Sequence, residues 1–283
     1  MNIPIAAEPI FEIGHFTVTN AYINSTIVTL LIVIFAFSFS RSIKRIPGKL
    51  QAAVEALLEF LLGYFDQVTG SREKSRRFLP LVGTLFIFIL LSNWLGLLPG
   101  TGSIGKWELI HGELELVPIL RSSNSDLNLT LAMALVSVIA SHIIGMFTLG
   151  FFAHWNKFIQ LGGLWKAVKS FKPMDMVTAV VQFGVGLLEL VSEAAKILSL
   201  SLRLFGNIFA GEVLMTVISS LIAFFVPLPF MALELIVGVI QATVFAMLTL
   251  VYLTTMTTSH DSHDEGHGEK HGSEAHAEPA PAT

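Results

Sequence analysis

Cysteine is absent from the 283 residues. That excludes disulfides, iron–sulfur ligation and thiol catalysis, and removes the usual clue to redox compartment. Charge is scarce too: 13% of residues are Asp, Glu, Lys or Arg, against about 25% in soluble domains. No GxxxxGK[ST] phosphate loop occurs, so nucleotide chemistry would have to reside on other chains. A basic patch of the kind that binds nucleic acid is missing as well. The opening MNIPIAAEPIFEIGHF lacks the basic leader of a secretory signal, so the first apolar run is expected to stay in place as an anchor. Apolar residues are what the chain has in plenty, at 53% hydrophobic with a mean hydropathy of +0.71. Long apolar runs in a chain of this length imply one polytopic membrane domain. The net charge of −4 decides little, because an acidic tail supplies much of it.

The segment Met1–Thr19 is short and mixed, and is expected to lie at one membrane surface. Asn20–Ser40 is long enough to span hydrocarbon. Arg41, Lys44, Arg45 and Lys49 follow it, which by the positive-inside rule places that end in the cytoplasm and the N-terminus outside. Lys49–Gly70 has apolar residues Val54, Leu57, Leu58, Leu61, Leu62 and Phe65 at helical spacing, with Gln51, Glu55, Glu59 and Asp66 on other faces. Such a pattern suits an interfacial helix; the lesser alternative is a helix packed on the rest of the protein. Arg72, Lys74, Arg76 and Arg77 form a second cytoplasmic cluster. Phe78–Leu98 is the second span, closed by Pro99-Gly100. Gly100–Asp126 reads as an external loop, and Leu127–Phe152 as the third span.

Lys157, Lys166, Lys169 and Lys172 return the chain to the cytoplasmic side, with Gly162-Gly163 and Pro173 interrupting the connector. Met174–Val226 would run roughly 80 Å as a helix, against a hydrocarbon core of about 30 Å. It must therefore be broken, tilted, or both, and Pro227 and Pro229 are expected to end it. Met231–Met256 is the last span, leaving the C-terminus cytoplasmic. The fold class is thus an all-α integral membrane protein of about five embedded helices plus one interfacial amphipathic helix. Its last two helices form a long tilted hairpin. Residues 1–258 make the membrane domain, and 259–283 a tail with nothing to bury, expected to be disordered. That tail carries His260, His263, His267, His271 and His276. Such a tract can bind divalent metal, but acids interleave with it throughout and no metal or cofactor is otherwise expected.

The costly stretch is Glu189–Glu212, ELVSEAAKILSLSLRLFGNIFAGE. A central arginine in a membrane helix costs roughly 2.5–3.5 kcal/mol by insertion scales and about 10–17 in simulation. It persists where it faces protein or water, which makes it a functional candidate. Glu189, Lys196 and Arg203 are spaced by sevens and share a helix face, with Glu193 and Asn207 close to the same stripe. Glu193 and Lys196 can neutralise each other at helical spacing. Arg203 has no carboxylate within one turn, so its partner must come from elsewhere. Gly206 and Ala210-Gly211 let a neighbour approach closely. Glu234 and Gln241 share a face of the last span, and a hairpin would bring the two polar stripes side by side.

Four ordered segments carry a family resemblance: Asn93–Gly100 (NWLGLLPG), Asp126–Leu135 (DLNLTLAMAL), Ser199–Glu212 (SLSLRLFGNIFAGE) and Ile240–Leu253 (IQATVFAMLTLVYL). From Phe11 to Thr257 the chain resembles subunit a of F-type ATP synthases. The resemblance implies a stator subunit in a bacterial inner membrane, not catalytic alone, beside a ring of c subunits and held by the subunit b stalk. Arg203 matches the essential arginine facing the ring carboxylate. A fixed guanidinium favours the ionised form of an approaching acid and stays charged where a lysine would not. Asn207 and Gln241 match ring-facing positions. Glu212 and Glu234 match a polar pair of the external half-channel, where some relatives carry a histidine. Glu189 matches a cytoplasmic access position, and Asn93 is a further water-access candidate. Ser137, Ser141 and His142 read as helix-packing groups.

Two other function classes fit a buried arginine in an apolar chain. A secondary transporter would bind an anionic solute at a broken midplane helix, but the two halves show no internal repeat. A purely structural scaffold leaves Arg203 unexplained.

Overall fold

A computed structural model of the chain describes residues 8–14, 16–98, 105–110, 113–151, 154–155, 173–222 and 225–258. The His-rich tail and the lysine-bearing connector lie outside the described residues. Two short strands, β1 (Pro9–Ile13) and β2 (Phe16–Thr19), pair antiparallel ahead of α1 (Asn20–Ser42). Next come α2 (Lys49–Thr69) and α3 (Arg72–Gly96), joined at Gly70, whose left-handed φ of 65° closes the first of them. A second ribbon, β3 (Gly105–Ile110) with β4 (Glu113–Pro118), leads through a 3-10 turn at Ser123–Ser125 into α4 (Leu127–Leu149). The chain then forms α5 (Pro173–Leu221) and α6 (Pro227–Thr257). Among the described residues five helices, all of those named but α2, are long and apolar enough to cross a membrane.

The expected spans are present, with instructive differences at their ends. Both two-stranded ribbons fall in segments read from sequence as irregular. They are local hairpins with no sheet core, too short for their alternation to stand out. α3 begins at Arg72, six residues before the apolar run at Phe78, because the basic cluster is itself helical. Pro227 does not merely end the preceding helix: it opens α6 at its first turn, where a missing N–H costs nothing. α4 stops at Leu149, where Gly150 takes a φ of 92° that other residues avoid. Its start is set by Asp126, whose side chain caps the helix by accepting from the Asn128 N–H at 2.9 Å.

α6 is the centre of the bundle, packed against α3, α4 and α5. Its Ala242, Phe245, Ala246, Leu250 and Leu253 recur at three- and four-residue steps and are buried. They meet Val82, Phe86 and Ile89 of α3, Met133 and Ala134 of α4, and Leu200, Leu204 and Ile208 of α5. α2 buries Leu61 and Phe65 against this core, so it both packs on the bundle and leaves its opposite face free. α1 is peripheral: Leu30, Ile34 and Phe37 are more than half exposed, a surface suited to lipid.

α5 is one unbroken helix of 49 residues, about 74 Å long at 1.5 Å per residue. With no break, tilt and extension past the hydrocarbon are how it fits a bilayer. It buries a single stripe, including Glu193, Leu200, Ser201, Leu204 and Ile208. Much of the rest is open.

Candidate functional site

Arg203 stands on α5 beside the buried stripe, with its side chain exposed. Its Nη2 lies 3.5 Å from Ser199 Oγ, one turn back. Among the described residues no carboxylate is within ion-pair distance of it. Asn207, one turn on and also exposed, donates from Nδ2 to Gln241 Oε1 at 2.7 Å. The polar stripes of α5 and α6 do meet. Gln241 is 4% exposed, so its carbonyl is spent on Asn207 and the pair fixes the register of the two helices. Around Arg203 the face is otherwise apolar and small, with Leu198, Leu202, Gly206 and Ala210 exposed.

Toward the Leu221 end of α5, the next polar groups are paired across elements. Glu234 of α6 is 8% exposed and packs its carboxylate against Gly211 so closely that any side chain there would overlap it. Glu212 faces Arg121, with Nε 2.8 Å from Oε1. The N–H is not aimed at that oxygen, so this is a charge contact rather than a directed hydrogen bond. Arg121 is buried at 5% exposure, with its Cζ 6.0 Å from the Phe209 ring centroid. Residues Arg121–Asp126 are all buried here among α1, α3, α4 and α5. Asn24 donates to the Arg121 carbonyl at 2.8 Å. Asn93 donates to Gly238 O at 3.3 Å and accepts from Asn124 Nδ2 at 2.7 Å. Among the described residues, buried polar atoms of Asn24, Ser92, Arg121, Ser123, Asn124 and Glu212 have no hydrogen-bond partner, and such atoms are ordinarily satisfied by water.

Toward the Pro173 end, Glu193 is 6% exposed. It accepts from Lys196 Nζ at 2.6 Å and lies 3.6 Å from His142 Nε2. Lys196 also sits 5.3 Å over the Tyr252 ring. Glu189, one turn before Glu193, is half-buried. Ser137 and Ser141 donate to carbonyls of their own helix, Met133 O and Ser137 O, as helix-packing hydroxyls do.

The chain's arrangement therefore has three parts along α5: a paired carboxylate, an exposed arginine, and a second paired carboxylate. Residues 22–254 match the family model described as ATP synthase A chain.

The chain belongs to that family.

It is 31% identical over 251 residues to ATP synthase subunit a of Moorella thermoacetica, covering 89% of this chain and 96% of that relative. It is 32% identical over 243 residues to ATP synthase subunit a of Gloeobacter violaceus, covering 85% of each. Together with the five apolar helices, membership makes it an all-α, multi-pass membrane protein.

Sequence reading set the polar stripes of the last two helices side by side, and Asn207 does meet Gln241; that Glu234 would fill the space at Gly211 was not foreseen. It missed Arg121 as the partner of Glu212. The available signal was a lone arginine in a loop otherwise rich in carboxylates, set directly before the buried SSNSD run. It also left His142 among packing groups, whereas the ring reaches across to Glu193.

Proposed function

We infer that the chain is the proton-translocating stator subunit of an F-type ATP synthase, in which Arg203 separates two water-accessible paths and meets the ring carboxylate. The observation that carries this reading is position along α5. Arg203 is exposed and without an ion-pair partner among the described residues, and carboxylates paired within the chain, Glu193 and Glu212, lie on either side of it. At 1.5 Å per residue, Glu193 is about 15 Å back along the helix and Glu212 about 14 Å forward. A fixed cation at that midpoint favours the ionised form of an acid arriving from a neighbouring ring. It also puts a barrier to protons passing straight between the two ends.

In this reading Glu212, Glu234 and Asn93 belong to the external half-channel, which the partnerless polar atoms around Arg121 support as a hydrated region. Glu189 belongs to the cytoplasmic path, and Asn207 with Gln241 holds the surface beside Arg203. The N-terminus is external and the C-terminus cytoplasmic, since Arg41, Arg72, Lys74, Arg76 and Arg77 lie at one end. The open face of α5 receives the c-ring, and subunit b holds the chain in place. The complex sits in the bacterial inner membrane, and ATP chemistry resides on its other chains.

The test is ATP-driven dye quenching in inverted membrane vesicles. Arg203→Ala and Arg203→Lys assemble but abolish quenching. Normal quenching by the alanine variant contradicts the assignment.

A further inference from the structure

On the cytoplasmic side of Arg203, Glu193 is held by more than it needs for neutralisation. Its side chain is 8% exposed, with Lys196 Nζ at 2.6 Å from Oε1 and His142 Nε2 at 3.6 Å from Oε2. The two oxygens thus face nitrogens from two different helices. Lys196 alone balances the charge. His142 adds an imidazole, whose two ring nitrogens can each donate or accept a proton, and its side chain is 26% exposed.

The imidazole is also oriented. His142 Nδ1 is 3.2 Å from His154 Nε2, and the rings meet edge-on with centroids 5.4 Å apart. His154 is 2% exposed. It is seated by Gly145, where an added Cβ would come within 2.8 Å of Met256 O and 3.0 Å of His154 Cε1. On the other side, Tyr252 of α6 lies within electrostatic reach of both Glu193 and Arg203. Among the described residues, the groups facing His142 and Glu193 include His154 after α4, Lys196 from α5 and Tyr252 from α6.

We propose that His142 and Glu193 form a proton-transfer pair joining cytoplasmic water to the ring-facing surface at Arg203, with His154 as the positioning residue. The proposal rests on the stator reading above. In uptake, imidazolium His142 passes its Nε2 proton to Glu193 Oε2. It becomes neutral imidazole, keeping the Nδ1 proton that it donates to His154 Nε2. Glu193 then releases that proton toward the ring carboxylate and returns to carboxylate, while His142 takes a new proton from water. One proton enters and one leaves, and release runs the same steps backward.

Inverted vesicles carrying the whole complex test this, because the bath then sets pH on the cytoplasmic face. Quenching rate is normalised to immunodetected complex. Positioned proton carriers are worth about 10²–10⁴-fold, and bypass by water leaves Glu193→Gln and His142→Gln with a loss of at least ~10-fold. Added imidazole restores His142→Gln but not Glu193→Gln. The wild-type rate falls as bath pH rises, and His142→Gln flattens that fall. His154→Ala lowers the rate in the same direction, and His154→Asn less. If Glu193→Gln fails to assemble, the charge-balanced double variant Glu193→Gln with Lys196→Gln carries the same expectation. Wild-type rates and pH profiles in the Glu193 and His142 variants overturn the pair. Loss of coupling in Arg203→Ala alongside them leaves the stator reading intact, whereas normal coupling there removes both.

Discussion

At the scale of single residues, what matters is which charges have partners inside the chain. Arg121 and Glu212 have each other, and the arginine is almost fully enclosed. Removing one member of a fully buried pair costs about 3–5 kcal/mol; Glu212 is 27% exposed, so Arg121→Leu should cost closer to ~2 kcal/mol. Thermal unfolding of the purified complex measures this, and Arg121→Lys should retain most of the stability. Unchanged unfolding in the leucine variant would mean the 2.8 Å contact is incidental. Gly211 makes a different demand. Its missing side chain is the space occupied by the Glu234 carboxylate, so Gly211→Val should reduce ATP-driven pumping severely through misplacement of α6. A second change, Glu234→Ala, should restore assembly by vacating that space. Pumping by Gly211→Val at the normal rate would show that α5 and α6 can separate there without penalty.

Among the elements, α5 was the most legible in sequence and also the least complete. Its excessive apolar length, its seven-residue charge spacing and its small residues were all readable, because helical periodicity shows in one chain. Which residue each charge would meet was not readable. Arg121 reaches Glu212 from 91 residues away in sequence, and His142 reaches Glu193 across a connector; local pattern carries no information about such pairings. The ribbons escaped for the opposite reason, being too short and mixed for alternation to stand out.

The α2–α3 junction illustrates a pairing that local sequence nearly contains. Arg72 bridges Glu59 at 2.6 Å and Asp66 at 2.8 Å. The Ser75 hydroxyl, followed by Arg72, holds the Asp66 carboxyl below its ordinary value. A depressed acid contributes stability above its unfolded pKa and loses it as pH falls, so this junction is tight at neutral pH and loosens only in acid. Exposed ion pairs are typically worth about 0–1 kcal/mol, so Arg72→Ala should leave pumping near normal. Its effect should appear as faster protease cleavage between α2 and α3, most clearly at neutral pH, and no change in cleavage would set the latch aside.

At the scale of the whole molecule, the bundle buries one side of α5 against α6 and leaves the Arg203 side open. That asymmetry is the physical basis for placing a moving partner there. Lipid would be a poor neighbour for an exposed guanidinium, while a ring carrying acids would complete it. The absence of cysteine from this chain allows this to be tested by site-directed crosslinking with no background from the chain itself. Single cysteines are placed at Asn207 on the open face, at Phe37 on the peripheral helix, and beside the ring carboxylate on the c subunit. Under mild oxidation in membranes, Asn207→Cys should form a disulfide with the c subunit and Phe37→Cys should not. Crosslinking from Phe37→Cys with none from Asn207→Cys would place the ring on the wrong side of the bundle and contradict the role assigned to Arg203.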